Sequence, residues 1–327
     1  MVSIGIVSCR PEKMADYYPT ATDGPDFVPT ELPFTPDDQF LINAMRRRGM
    51  IVEPVIWGAD PADLAHYDLL LFRAPWDYMD TEAQRTAFMG WLTQLEEAGI
   101  RTENPLPLMQ WLLNKRYLLD LEAQGIAIVP THYLEPGQHA DLAQAFDAQG
   151  PLILKPALSA AGAGLTFLRS REEAAAYQAT LDELGTKEPY LLQPFQPEIR
   201  TEGEWSLVFL DSVYSHAVLK KPAENGILVH AERGGSTAFL EPPEAVVEAA
   251  AHAAEAVGRA YGEATHHSPV IPLYLRIDIL PTARGLLVSE MEGMDPELFF
   301  RARPGSEELL CDGLASRLSQ RAASVRV

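Results

Sequence analysis

The sequence predicts an α/β unit with a small parallel sheet, then a small α+β unit, then a larger unit built on an antiparallel sheet. Three observations carry this reading. Over residues 1–104, short apolar runs alternate with amphipathic stretches of helical spacing. The stretch Asn104-Pro105-Leu106-Pro107 then ends the alternation. Beyond residue 190, strand-like runs succeed one another across short turns, with one Ala-rich helix among them.

Taken in order, residues 3–9 read as a buried strand, and 37–48 as a helix opened by Pro36-Asp37-Asp38 and closed by Gly49. Residues 51–57 and 68–73 read as further strands. Residues 81–98 form a helix with Phe88, Trp91, Leu92 and Leu95 on one face, ended by Gly99. Between the first strand and helix lies 11–35, rich in Pro, Asp and aromatics. A segment that long without regular structure is either a functional loop or a surface insertion. After the boundary, a helical stretch carries Asn114-Lys115-Arg116-Tyr117, with strand signals at 127–129 and 132–134. Strands at 152–156 and 165–168 flank a small-residue loop at 159–164, and a helix follows at 171–181. Residues 190–195, 205–210 and 214–220 read as strands of the antiparallel sheet, and 243–261 as a helix. Strands at 273–280 and 286–292 precede a C-terminal helical region. There is no internal repeat. The units expected are 1–104, 105–190 and 191–327.

With 327 residues the chain can bury one large core or two or three smaller ones. A net charge of −20 argues against nucleic acid or an anionic membrane as partner, since both require a basic face. The apolar run at 2–7 is too short for a signal segment, and no stretch reaches the roughly 18 residues that span a bilayer. Cys9 and Cys311 are too few for a disulfide framework or a zinc site, so free thiols in the cytoplasm are expected. Lysine occurs only at 13, 115, 155, 187, 220 and 221, and four of these six fall in the motifs below. That placement fits cations gathered in one cleft, although arginine bias also follows from genome composition.

The strongest chemical feature is the pair Arg276-Ile277-Asp278 and Glu290-Met291-Glu292. Strand alternation puts Glu290 and Glu292 on one face, about 7 Å apart along the backbone. An antiparallel turn through 281–285 brings Asp278 alongside. Three carboxylates offering only oxygen suit magnesium, which completes its shell with substrate phosphates and water. An exposed edge hairpin would have the same residues, but the apolar run Leu286-Leu287-Val288 argues for a buried strand.

A second feature is Lys155-Pro156-Ala157 followed by Ser159-Ala160-Ala161-Gly162-Ala163-Gly164. Small residues let backbone N–H groups approach a phosphate, while a plain turn reads the same way. This is not a Walker A loop, because the lysine precedes the glycines. A lysine ending a buried strand is costly unless it meets an anion, which favours phosphate. A third feature is Gln193-Pro194-Phe195, followed by Gly203-Glu204-Trp205-Ser206. Such a hinge would hold a flat base, with Glu204 accepting from a ribose; taken alone, these residues equally describe a strand corner with a packed core. Finally, Phe72-Arg73-Ala74-Pro75-Trp76-Asp77-Tyr78 closes a strand at its carboxyl end, where α/β sheets bind ligands. Arg73, Trp76, Asp77 and Tyr78 are therefore expected to line an acceptor pocket, with a packed Trp-Tyr corner as the competing reading.

In this order the motifs resemble the ATP-grasp superfamily over nearly the whole chain. The motifs look nearest to the subgroup containing D-cycloserine synthetase (O-ureido-serine cyclo-ligase), with glutathione synthetase and D-alanine–D-alanine ligase as more distant resemblances. Besides the segments above, the resemblance rests on Asn114-Lys115-Arg116-Tyr117-Leu118, on 203–209 running to 215–220, and on Asp295-Pro296-Glu297-Leu298-Phe299. It implies a Rossmann-like N-terminal domain, a small α+β lid domain and a larger antiparallel-sheet domain, with ATP held between the last two. Lys115 and Lys155 would contact the α and β phosphates. Ala160, Ala161, Gly162 and Gly164 would form the lid over the β and γ phosphates. Gln193 and Phe195 would sit at the adenine and Glu204 at the ribose. Lys220 would reach the phosphates from the other side, and Arg233-Gly234-Gly235 would form a mobile triphosphate loop. Asp278, Glu290 and Glu292 would hold two Mg²⁺ ions, with Mn²⁺ as a substitute, and Arg276 would stabilise an acyl phosphate.

The implied activity is carbon–nitrogen ligation: a small carboxylate, an amino acid or its derivative, is phosphorylated and then attacked by an amine or another nitrogen or oxygen nucleophile. An ATP-grasp small-molecule kinase and a non-catalytic nucleotide-binding protein are the alternatives. Relatives are commonly dimers or tetramers, so a homodimer or homotetramer is expected. Two departures stand out. Glu292 takes the place of an Asn in glutathione synthetase and the D-alanine ligase, and the 11–35 insertion has no counterpart.

Overall fold

The computed structural model describes residues 1–17, 33–160, 162–230 and 233–324. Most of the 11–35 segment, and Ala161 of the small-residue loop, lie outside the described residues.

The first unit comprises β1 (Ser3–Ser8), α1 (Pro11–Tyr17), α2 (Asp38–Arg47), β2 (Ile51–Ile56), α3 (Pro61–Leu64), β3 (Leu69–Ala74), α4 (Glu82–Glu97) and β4 (Thr102–Glu103). Its sheet is parallel, in the order β2-β1-β3-β4. β3 is buried along its whole length, as the apolar run Leu69-Leu70-Leu71-Phe72 requires in a sheet covered on both faces, and Arg73 is buried with it. Thr81 caps α4 by accepting from the Gln84 N–H at 3.2 Å. One expectation is corrected here: the start of the 11–35 segment is helical, with Met14 buried against Cys9, Ala74 and Trp76.

The second unit follows as α5 (Leu106–Leu113), α6 (Tyr117–Ala123), β5 (His132–Leu134), α7 (Leu142–Gln149), β6 (Leu152–Pro156), β7 (Thr166–Leu168), α8 (Arg171–Leu184) and β8 (Tyr190–Pro194). The antiparallel order is β5-β8-β6-β7. β8 thus belongs to this sheet and not to the larger one predicted for residues 190–195. An apolar run such as Tyr190-Leu191-Leu192 states that it is buried but not which strands flank it.

The third unit comprises β9 (Glu204–Leu210), β10 (Val213–Lys221), β11 (Ser236–Ala238), α9 (Glu244–Thr265), β12 (Tyr274–Thr282), β13 (Gly285–Glu292) and α10 (Glu307–Ser324), with its sheet in the order β11-β10-β9-β12-β13. Asp211 and Ser212 turn the β9–β10 hairpin with φ of 49° and 67°. β13 is the terminal strand, contrary to the expectation that its apolar flank excludes an edge. Its outer side is covered instead: the Val129 N–H donates to the Val288 carbonyl, and the Val288 N–H to that of Ala127.

The Ala-rich face of α9 packs Ala250, Ala253, Ala256, Val257 and Ala260 against Leu207, Phe209, Leu275 and Ile277, in a core shared with α5 and α6. The opposite face of the large sheet meets the first unit, where Val208, Leu210 and Leu273 pack with Ile4, Ile6, Leu41 and Leu314. α10 lies on α2, joined at its rim by Arg48 to Glu308 at 2.6 Å and to Asp312 at 2.7 Å. Two side chains bind the units at the seam. Asn104, fully buried, donates to the carbonyls of Tyr274 and Gly293 at 2.8 and 2.7 Å and accepts from the Leu273 N–H at 2.6 Å. The Tyr274 hydroxyl lies among the carbonyls of Phe72, Glu103 and Met294, at 2.9, 3.1 and 3.0 Å. Tyr274→Phe removes the donor from a dry, crowded position and is expected to cost about 1–3 kcal/mol, read as a lowered denaturant midpoint at unchanged slope.

Candidate active site

β9, β12 and β13 present one charged layer. Asp278 pairs across β12–β13 with Glu290, and Arg276 with Glu292. A bulge at this point leaves Ser289 as the extra residue, and its hydroxyl donates to Glu204 Oε2 at 2.7 Å. Oxygens of Asp278, Glu290 and Glu292 lie within 4.8 Å of one another, on the face predicted from strand alternation.

Cations separate these anions. Arg276 donates through Nε and Nη2 to the two oxygens of Asp278, at 3.0 and 3.2 Å, and through Nη2 to Glu292 at 2.5 Å. Lys220 lies 3.1 Å from Asp278 and 2.9 Å from Glu204. Lys115 lies 3.0 Å from Glu290, and its ammonium also meets the Ser159 carbonyl. The Ser206 hydroxyl donates to Asp278 at 2.7 Å, and Tyr117 accepts from the Met291 N–H at 2.7 Å. Against the cost of burial, Arg276 and Lys220 hold Asp278 well below the usual carboxylate range. Lys115 and Lys155 likewise pull Glu290 down to about 2. Glu292 goes the other way: burial pushes it up to about 7 even with Arg276 beside it, and Glu290 and Asp278 add to the rise.

Lys155, on β6, makes no ion pair within 4.0 Å among the described residues. Burial lowers its pKa, and Glu290 only partly offsets that. A cation left short of anions, facing a carboxylate cluster, is suited to a ligand that carries its own negative charge. The adjoining loop bends at Gly162 and Gly164, with φ of 69° and 72°. A Cβ on Gly162 would stand 2.8 Å from Leu228, so this loop closely approaches the loop that follows β10. Arg233 lies on the latter loop, exposed and without an ion pair among the described residues. Gln193 is buried with its amide donating to Thr131 at 2.7 Å, and Phe195 packs on Phe167 under Arg200. Glu204 sits between Lys220 and Ser289.

The four acceptor-pocket residues are placed unequally. Arg73 is buried, bonded to Asp38 and to the Pro296 carbonyl at 2.7 Å each. Asp77 accepts from the Trp57 indole and is fully buried. Both side chains are engaged within the protein. The Trp76 indole donates to the Asp295 carbonyl at 3.2 Å. Tyr78 stacks on Phe88, centroids 4.1 Å apart, while Asp295, Glu292 and Glu290 act on its hydroxyl.

Sequence reasoning missed how the chain beyond Glu292 is held. Five consecutive or near-consecutive carbonyls are each taken by a remote side chain. Gly293 is bound by Asn104, Met294 by Tyr274, Asp295 by Trp76, Pro296 by Arg73 and Leu298 by His216. Burial lowers the His216 pKa, and the neutral ring donates from Nε2 to Leu298 while its Nδ1 faces the Ser215 hydroxyl at 2.8 Å. Ser206 was findable, because it sits two residues from Glu204 on the same face of β9; the clamp around 293–298 has no local signal.

The all-oxygen trio and its lysines fit a polyphosphate with divalent cations. The donor set matches magnesium, and the interleaved charges are balanced in a way that added phosphates and metal together preserve.

The family model described as "D-cycloserine synthetase DcsG, N-terminal domain" matches residues 18–104. A curated relative, the cycloserine biosynthesis protein DcsG of Streptomyces lavendulae, is 31% identical over 196 residues, 58% of this chain and 64% of that protein. The match therefore spans somewhat under two thirds of the relative's length. The crystal structure of D-cycloserine synthetase DcsG superposes with a TM-score of 0.77 at 25% identity, covering 97% of this chain and 99% of that one. The ATP-grasp ligase PsnB, complexed with a phosphomimetic variant of its minimal precursor, Mg and ADP, superposes with a TM-score of 0.56 at 17% identity, covering 96% and 98%.

Proposed function

From a chain that has the ATP-grasp fold and is similar to D-cycloserine synthetase, we propose an ATP-dependent ligase that activates a small carboxylate as an acyl phosphate. The carboxylate is an amino acid or amino-acid derivative. An amine, or another nitrogen or oxygen nucleophile, completes the reaction to an amide or a cyclised product, with ADP and phosphate. The observation that carries this reading is the interleaved layer of Asp278, Glu290 and Glu292 with Lys115, Lys220 and Arg276.

In this reading, Lys115 and Lys155 meet the inner phosphates, and Lys220 the phosphates from the large sheet. The loop around Ala160, Gly162 and Gly164, together with the loop bearing Arg233, closes over them and excludes water. Gln193 and Phe195 border the base, and Glu204 turns to the ribose. A substrate carboxylate oxygen bonds to the γ phosphorus as the bond to ADP breaks. The nucleophile then attacks the acyl carbon, phosphate leaves, and the nucleophile loses its proton. Arg276 holds the negative charge that moves between these oxygens. Asp278, Glu290 and Glu292 would hold magnesium, two ions with manganese as a substitute, and the metal supplies charge neutralisation along the phosphates when bound. A cytoplasmic homodimer or homotetramer belongs to the same proposal; among the described residues, no helix is long and apolar enough to cross a membrane.

ADP release is to be measured against a panel of amino acids and dipeptides, with hydroxylamine present to trap an acyl phosphate. Hydroxamate is the expected product. A stable phosphorylated compound without hydroxamate would identify a kinase, and ADP release at background throughout would leave only nucleotide binding.

A further inference from the structure

We propose that Ser289 is a positioning residue for the nucleotide: it holds Glu204 across the sheet at the ribose, and so sets a preference for ribonucleotides. The inference rests on the reading above, in which Glu204 meets the ribose, and adds the residue that keeps it there.

β9 and β13 are not neighbours, because β12 runs between them. At a strand spacing of about 4.8 Å, the backbones of Glu204 and Ser289 lie about 10 Å apart across the sheet. Their side chains nevertheless meet, with the Ser289 hydroxyl donating to Glu204 Oε2 at 2.7 Å. Glu204 therefore leans over β12, and Ser289 anchors its far end. From the other side Lys220, the partner of Glu204 in the β9–β10 ladder, reaches Oε1 at 2.9 Å. Each carboxylate oxygen thus has a partner of its own, and the group is fixed in one orientation. Each oxygen also keeps a lone pair with which to accept from a ligand hydroxyl.

The bulge in β13 makes this anchor possible. Asp278 pairs with Glu290 and Ile279 with Val288, so Ser289 opposes neither. Strict alternation would turn Ser289 away from the face that carries Glu290. Instead Val288 and Met291 are both buried in the core under α9, while Ser289 and Glu290 between them are not. The extra residue re-aims one hydroxyl at the charged layer, a use of bulges that recurs beside active sites. The same hydroxyl lies 3.1 Å from the Asp278 carbonyl, and Lys220 bridges Glu204 and Asp278. Glu204 is therefore registered against the strand segments that carry the carboxylate trio, so that ribose and phosphates are placed by one frame.

The test measures equilibrium binding of ATP, 2′-deoxy-ATP and 3′-deoxy-ATP with magnesium, in the unaltered protein, Ser289→Ala and Ser289→Cys. The unaltered protein should favour ATP over at least one deoxynucleotide by about 10-fold or more, since the lost bond is to a charged acceptor. Ser289→Ala should raise the Kd for ATP about 3- to 10-fold and lower that preference by a similar factor. Ser289→Cys keeps the size of the side chain but donates only weakly, and should behave as Ser289→Ala does. A merely loosened fold would weaken the three nucleotides alike and leave their ratio in place. An unchanged ratio in Ser289→Ala, or an unaltered protein without preference, overturns the inference. Should Ser289→Ala fail to fold, Ser289→Cys decides alone. Ribose preference with no hydroxamate from any carboxylate would remove the ligase reading and leave this inference to the ratio; no binding of any of the three nucleotides overturns both.

Discussion

Glu290→Gln should reduce turnover about 10³-fold while the protein still unfolds in one cooperative transition. The amide keeps the shape of the side chain and one oxygen for Lys115, which also retains the Ser159 carbonyl. What disappears is the charge at the centre of the trio, where Glu290 is held ionised by Lys115 and Lys155. Those two lysines then face each other with less compensation, so a modest fall in melting temperature is expected without loss of the fold. ADP release at rising magnesium, with a thermal melt of the same sample, checks both parts. Near-parental turnover in a cooperatively folded variant would sink the metal assignment.

The second large effect is expected at Arg276. Arg276→Lys retains one positive charge but not the planar fork that bonds both oxygens of Asp278 while Nη2 reaches Glu292. Hydroxamate formation should fall about 10²- to 10³-fold, with ATP binding within about threefold of the parent. The opposite pattern, weak ATP binding at unchanged kcat, would make Arg276 a nucleotide contact instead.

The carboxylate trio and Arg276 were legible in the sequence because their neighbours are dictated by short-range rules. Alternation sets the face of Glu290 and Glu292, and a short turn makes their strand a neighbour of the one that carries Asp278. The strands pair on as far as Thr282 and Gly285, so the turn is shorter than the 281–285 expected. Much of the fold is legible on the same grounds. The bulge at Ser289 is not, since nothing in Val288-Ser289-Glu290 distinguishes a bulged strand from a regular one. The sheet to which β8 belongs was lost for a similar reason: apolar strands record burial, not address. Tyr78 lay between two readings, pocket wall and packed corner; its ring is packed on Phe88, and Asp295, Glu292 and Glu290 act on its hydroxyl. How residues 293–298 are held could not be read at all. Their position depends on donors as remote in the chain as Arg73, 223 residues from Pro296, and no local pattern carries such information.

The seating of α10 on α2 sets a timetable for synthesis. Arg48 meets Glu308 across 260 residues, and beneath that pair Leu41 shares its core with Leu310 and Leu314. This part of the apolar face of α2 therefore leaves the ribosome long before its cover from α10 exists. Contacts that close loops of this size form slowly. Until then the nascent chain leaves open the part of this face that Leu310 and Leu314 cover. Ile4, Ile6, Leu69 and Leu71 cover the rest early, and such a residual apolar strip is the sort of surface that holdase chaperones bind.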